Sequence, residues 1–213
     1  NAINVMRGSE AISSYTSLPL QEAFDIEYWL LEEAKLQRMP KEKPLSRKIA
    51  LVTGAGGGIG KSIAKKLVSE GAVAILLDIS EENLKEAEKE FNKDNALSVV
   101  CDINNSKAIQ NAIEQSCLNF GGIDIVVHSA GLAISKPLSE TTTQDWDLLQ
   151  NILVKGQFEL FKQAVAVLKI QEKGGNFITI ASKNGLVAGP NNVAYGTAKA
   201  AQQHMTRLLA AEL

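Results

Sequence analysis

The chain has 213 residues, 22 Lys plus Arg against 24 Asp plus Glu, and a formal charge of -2. That length is enough for one domain with a buried core and some excess, and the charge balance argues against a nucleic-acid surface. No apolar run approaches the roughly 18 residues of a membrane span, and Asn1-Ala-Ile-Asn-Val-Met-Arg7 lacks the apolar core of a signal peptide.

The chain does not begin on Met, so it is expected to be a fragment or a processed product. Leu20 to Gln37 reads as one amphipathic helix carrying Phe24, Tyr28, Trp29, Leu30, Leu31 and Leu36. A basic, Pro-containing stretch follows from Lys35 to Lys48, with Pro40 and Pro44 as breakers. This helix either packs on a neighbouring domain or is a linker left by a preceding one. The second reading is favoured, because the segment is too short to fold alone. The expected boundaries are 1–46 for this tail and 47–213 for the unit that follows.

From Arg47 onward, apolar runs alternate with helical patterns. The runs are Lys48–Thr53, Val73–Asp78, Ala96–Cys101, Ile123–His128 and Asn176–Ala181. The intervening helices are expected through Ser69, from Glu81 to about Phe91, from about Ser106 to Asn119, and from about Gln144 to Leu168. A last helix is expected from Asn192 to Leu213. Continuous apolar strands between helices predict an α/β fold, a doubly wound parallel sheet of Rossmann type with the first strand central. The charged run Glu81–Glu90 reads as the solvated face of its helix.

Thr53-Gly54-Ala55-Gly56-Gly57-Gly58-Ile59-Gly60 sits between the first strand and the first helix. Glycines there let the backbone approach a pyrophosphate, and the helix N-terminus supplies free N–H groups. Gly60 lets helix and strand pack closely. Asp78 ends the second strand, where a carboxylate accepts hydrogen bonds from an adenosine ribose and repels a 2′-phosphate; NAD is therefore favoured over NADP. Its bland reading is a helix N-cap, but Ser80 serves better before Glu81 and Glu82. Asp102 either contacts the adenine edge or is a turn residue.

Cys101 and Cys117 have no CxxC spacing and read as reduced thiols, which suits a cytoplasmic protein. With only His128 and His204 besides, no metal site is expected. Near the C-terminus, Ser182 precedes Tyr195-Gly-Thr-Ala-Lys199. Residues four apart share a helix face. A cation beside a phenol favours its ionised form, and a serine hydroxyl held opposite can steady a substrate oxygen. Taken singly, Ser182 ends a strand, Tyr195 packs and Lys199 is solvated. In register with the glycine motif, the three read as the parts that move a proton onto or off an alcohol or carbonyl oxygen.

These motifs, in this order over residues 47 to 213, resemble the short-chain dehydrogenase/reductase family. The resemblance implies Ser182, Tyr195 and Lys199 as catalytic. It implies cofactor contacts at Thr53, Gly54, Gly56, Gly57, Gly58, Ile59, Gly60, Asp78, Asp102, Ile103, Ser129, Ala130 and Gly131, with Tyr195 and Lys199 also touching the cofactor. His128-Ser129-Ala130-Gly131 stands where the family has Asn-Asn-Ala-Gly, which puts sheet bracing in doubt. The family's catalytic Asn, which holds a water linking the Lys to solvent, falls at Leu153. Asn151 is expected on a different side of the helix. The family's sixth strand and pocket-closing segments have no counterpart before Leu213.

Phe24-Asp-Ile-Glu-Tyr-Trp-Leu-Leu-Glu-Glu-Ala-Lys-Leu36 and Val187-Ala-Gly-Pro-Asn-Asn-Val-Ala-Tyr195 resemble bifunctional proteins. These join a class II aldolase domain of rhamnulose-phosphate type to a short-chain dehydrogenase. That likeness implies a small alcohol or aldehyde substrate such as lactaldehyde, a place in rhamnose metabolism, fusion to an aldolase, and a homo-dimer or tetramer. The loop Lys183–Ala194 is expected to line the substrate site, through Lys183, Asn184, Asn191 and Asn192 or through Leu186 and Val187. The rival readings are a non-catalytic NAD-binding module and a scaffold for the aldolase.

Overall fold

The five apolar runs form strands of a single parallel sheet: β1 (Ile49–Thr53), β2 (Val73–Asp78), β3 (Ala96–Val100), β4 (Ile125–His128) and β5 (Asn176–Thr179). The structure, a computed structural model, describes residues 2–12, 16–39 and 41–213. Pro40, one of the two expected breakers, lies outside the described residues. The spatial order is β3-β2-β1-β4-β5, which puts β1 in the middle as expected. All four neighbouring pairs are parallel.

Successive strand residues face opposite sides, so each strand feeds two cores. Leu51, Ile75 and Val126 pack with α6 (Ser106–Phe120) and α8 (Gly156–Gln171) through Ile109, Ile113, Leu160 and Phe161. Ala50, Val52, Leu76 and Val127 pack on the other side with α4 (Gly58–Ser69) and α5 (Glu81–Glu88) through Ala64 and Leu84. Each large aliphatic side chain so buried stabilises the fold by about 1.5–3 kcal/mol. The α5 helix is shorter than expected, ending at Glu88. Phe91 lies in the turn beyond it and still packs on the second core.

The expected helix from Gln144 to Leu168 is not uniform. α7 (Thr143–Leu149) leads into a π-helical stretch, Gln150–Lys155, and then into α8. The Gly156 N–H bonds the Asn151 carbonyl five residues back. Such a wide turn is frequent at functional sites. The last helix, α9 (Val193–Glu212), follows β5 and a short 3₁₀ turn, Lys183–Gly185.

The chain divides into two compact units, Asn1–Glu42 and Lys43–Leu213. The first contains α1 (Ala2–Ile12), which sequence patterning did not indicate, then α2 (Leu20–Glu27) and α3 (Leu30–Arg38). The single helix expected over 20–37 is therefore two. Trp29 takes an extended backbone at φ -66, ψ 134 and interrupts the ladder. No Gly or Pro marks the break. Leu20, Phe24, Tyr28, Trp29 and Leu30 are all exposed, so no packed apolar face enforces a longer helix.

Candidate active site

The glycine-rich turn closes one end of a cleft of about 410 Å³ at the carboxyl ends of the strands. Gly54 adopts φ +66, a left-handed conformation open to Gly at little cost, and any Cβ there would meet the Ala130 backbone at 2.9 Å. A Cβ on Gly60 would run into the Gly54 carbonyl, so this position sets how closely α4 approaches β1. Gly57 caps α4 without a side-chain hydrogen bond. The space beside Gly58 is open. Unpaired N–H groups at a helix start, with glycine backbone around them, suit a phosphate.

Thr53, Gly54, Gly57, Gly58, Ile59, Gly60, Asp78, Asp102, Ile103, Ser129, Ala130 and Gly131 all line this cleft. Gly56 does not; its N–H donates instead to Asp78 Oδ2 at 3.0 Å. Asp78 Oδ1 accepts from Ser80 N at 3.0 Å. A carboxylate has about four lone-pair sites, so Asp78 retains acceptor capacity for ribose hydroxyls. Ser80 caps α5, accepting from Asn83 N at 3.2 Å. Asp102 Oδ1 accepts from Asn104 N at 2.9 Å, so it holds a turn as well as lining the cleft. Cys101 and Ile152 also line it, which residue chemistry alone did not signal. Burial, then the nearby Asp102 charge, pushes the Cys101 thiol up to about 11, so it is a wall and not a nucleophile.

Ser182, Tyr195 and Lys199 are absent from the walls of that cleft and are assembled by α9. Lys199 Nζ donates to the Ile180 carbonyl at 2.7 Å, and Gln203 Nε2 donates to the Ser182 carbonyl at 3.1 Å. Two side chains four residues apart thus clamp alternate carbonyls of the segment after β5. Ser182 Oγ accepts from Asn184 N at 3.2 Å. Lys199 Nζ lies 5.8 Å from the centre of the Tyr195 ring. Lys199 is only 7% exposed, and burial holds its pKa below the usual lysine value. Tyr195 packs against the buried cluster formed by Leu149, Leu153, Ala194 and Ala198.

Leu153 is fully buried, and Asn151 is exposed. A Cβ on Gly131 would meet Leu153 Cδ2 at 2.7 Å, so this leucine fills the space against Gly131. The sheet bracing placed in doubt at His128 and Ser129 is supplied by Thr53. Its Oγ1 accepts from Ser129 N and Ala130 N, both at 3.0 Å. His128 is itself buried, and burial, then the Lys199 charge, lowers its pKa to about 3. In the Lys183–Ala194 loop, Asn191 has φ +60. Its carbonyl accepts from Lys136 N at 2.9 Å and Ser135 Oγ at 3.1 Å, tying this loop to the one after β4. Leu186 and Val187 are exposed.

Among the described residues, no cluster of His, Cys, Asp and Glu could hold a metal ion. No described helix is long and apolar enough to cross a membrane.

The family model for short chain dehydrogenase matches residues 48–213. The model for the second domain of class II aldolase matches residues 1–36. The chain is 40% identical to the Bacillus subtilis protein YuxG, described as an uncharacterized oxidoreductase, over 215 residues. That match covers 99% of this chain and 31% of YuxG, so the chain spans about a third of that relative's length. It is 35% identical to the (2S)-[(R)-hydroxy(phenyl)methyl]succinyl-CoA dehydrogenase subunit BbsD of Thauera aromatica, covering 79% of this chain and 68% of BbsD. The fold matches that of an NAD+-bound xylitol dehydrogenase with a TM-score of 0.76 and 32% identity, covering 80% of this chain and 66% of that one. With the sheet order, the glycine turn and the Ser182, Tyr195 and Lys199 grouping in place, the chain belongs to the short-chain dehydrogenase family.

Proposed function

We propose that this chain is an NAD-linked oxidoreductase that interconverts a small, lactaldehyde-like aldehyde and its alcohol. The observation that carries the reading is the α9 clamp, in which Lys199 and Gln203 hold the Ile180 and Ser182 carbonyls. The clamp fixes Ser182 against the helix that bears Tyr195. NAD, when bound, supplies or accepts the hydride. Tyr195 gives a proton to the substrate oxygen in reduction and takes it in oxidation. The Lys199 ammonium stabilises negative charge on the tyrosine oxygen as the proton leaves. Ser182 donates a hydrogen bond to the substrate oxygen, where charge develops. The α4 N-terminus holds the pyrophosphate and Asp78 the adenosine ribose, the latter disfavouring a 2′-phosphate. The likeness to the NAD+-bound xylitol dehydrogenase supports the choice of cofactor.

In the same reading, residues 1–46 are the tail of an aldolase-type domain and 47–213 the dehydrogenase. The aldolase-model match over residues 1–36 and the exposed aromatics Phe24, Tyr28 and Trp29 support that division. The parent protein then makes an aldehyde in one half and reduces or oxidises it in the other. It works in the cytoplasm as a dimer or tetramer. Leu153 favours a second reading, a non-catalytic NAD-binding or scaffolding module, because an apolar side chain there holds no water for Lys199.

A substrate screen of the full-length parent with NAD, including lactaldehyde, separates the two. In the Tyr195→Phe variant turnover should fall by roughly 10²–10⁴-fold, with NADH binding by fluorescence retained. Turnover equal to wild type would sink the assignment. NADH binding with no oxidation of any small alcohol would favour the module.

A further inference from the structure

Behind the Tyr195–Lys199 face lies a layer of polar side chains that the proposed reaction does not use. His128 ends β4 and is 1% exposed; Gln157 in α8 and Gln202 in α9 are each 0% exposed. Thr179 stands beside His128 in register on the neighbouring strand, so both side chains face α8 and α9. The layer is joined by hydrogen bonds. Gln157 Nε2 donates to the Gln202 carbonyl at 3.1 Å and to Thr206 Oγ1 at 3.2 Å. Thr206 Oγ1 donates to the same carbonyl at 2.9 Å. Its one hydrogen is then spent, so in the 2.9 Å pair with Thr179 the donor is Thr179. Gln202 Nε2 donates to the Leu153 carbonyl in the π-helical stretch at 2.7 Å.

What remains is specific. His128 Nε2, Gln157 Oε1 and Gln202 Oε1 are buried and have no hydrogen-bond partner among the described residues. The Thr53 hydroxyl already accepts two amides, which uses both its lone pairs, and its oxygen lies 3.4 Å from His128 Nδ1 and 3.5 Å from the Val127 carbonyl, so Nδ1 has no acceptor there for a proton of its own. Nδ1 therefore stands as an acceptor facing the Thr53 hydroxyl, which leaves the imidazole proton on Nε2. The unpaired set is then one donor and two acceptors, the complement of what a single water offers when it accepts once and donates twice. Leaving three buried polar atoms unpaired costs more than immobilising one water. Lys199 lies one turn before Gln202 on the same face of α9. Its ammonium forms one hydrogen bond among the described residues, to Ile180, and has two donors left.

We propose that His128, Gln157 and Gln202 hold a buried water molecule between β4, α8 and α9, and that this water takes a hydrogen bond from Lys199 and fixes its ammonium at Tyr195. The water then makes four hydrogen bonds, two accepted and two donated. Gln202 and Gln157 are positioning residues that act through Lys199. The inference rests on the reading of Lys199 as the cation beside Tyr195, and it supplies a hydration partner where Leu153 offers an apolar side chain. The charged and titratable groups placed against the ammonium are Tyr195 on its own helix and His128 on β4.

Two measurements on the full-length parent test this without turnover. Water relaxation dispersion should detect a long-lived internal water that disappears in Gln157→Met and in His128→Phe. Carbon-detected titration of labelled lysine should show Lys199 moving down by about one pH unit in Gln157→Met, a tenfold loss in preference for the charged form. Absence of the water in wild type overturns the site. Loss of the water with an unmoved Lys199 titration overturns its link to the ammonium. If Gln157→Met does not fold, His128→Phe and the wild-type measurement still decide. A parent that oxidises no alcohol yet shows both effects fails the functional reading and retains the water site.

Discussion

His128 is buried at the end of a central strand, beside a buried ammonium, with one ring nitrogen unpaired. Desolvation, helped by Lys199, holds its folded pKa at about 3 against an ordinary value of 6.5. Between those values the unfolded chain binds the proton and the folded chain does not, so stability rises with pH across the window. The contribution is complete above about 6.5 and is lost as pH falls toward 3. From pH 7 to pH 5 the wild type should lose about 2 kcal/mol of unfolding free energy that His128→Gln does not lose. Urea denaturation at the two pH values measures this. Equal losses in both proteins would show that His128 is not held neutral by the fold. The position is a buried counterpart to Tyr195, whose replacement by Phe is expected to cut turnover by roughly 10²–10⁴-fold and leave the fold intact.

The stretch from α7 through α8 shows what patterning can and cannot reveal about an element. Its start is written locally: Thr142 accepts from Asp145 N at 3.1 Å, and Asp145 Oδ2 accepts from Thr142 N at 3.0 Å, a reciprocal cap. Lys136, then the Thr142 bonds, lowers the Asp145 pKa to about 2 and ties the preceding loop to the cap. Thr142→Ala should cost about 1 kcal/mol, read as a lower thermal midpoint; an unchanged midpoint would mean the loop holds α7 without the cap. The strands and the glycine turn were legible because apolar runs and Gly clusters are local signals. The π-helical stretch was not, because it goes with a bond from Gln202, 49 residues away, to the Leu153 carbonyl. The burial of Gln157 and Gln202 is not legible for the same reason: helix periodicity marks a face, not the neighbour that covers it. The break at Trp29 was also hidden, since nothing in its residue types forbids a helix. Among the candidate site residues, the Tyr195–Lys199 pairing is visible as a helix spacing, whereas the Gln203 hold on the Ser182 carbonyl depends on tertiary packing.

At the scale of the whole molecule, the cofactor cleft is built from both halves of the sheet. Asp78 closes one side onto Gly56, and Ser129, Ala130 and Gly131 form the other beyond β4. A ligand that binds only this assembled cleft stabilises the folded state by mass action. NAD at a hundredfold over its Kd should raise the stability of the protein by about 2.7 kcal/mol, seen as a higher thermal midpoint with NAD than with NADP at equal concentration. No shift with either nucleotide would remove the cleft from the functional account.

The two sides of that cleft also close at different times. The Gly56–Asp78 bond spans 22 residues, while the Thr53 hydroxyl must wait for Ser129, 76 residues along the chain. At the roughly 5–20 residues per second of synthesis, β1 and β2 emerge several seconds before β4, and β3 about 1–5 seconds before it. Until then one flank of the central strand is unpaired, and the glycine turn faces no second wall. The nucleotide therefore has nothing complete to grip until β4 has emerged. It protects the finished domain against unfolding but cannot guide the sheet through the interval when β1 is most open to a wrong neighbour.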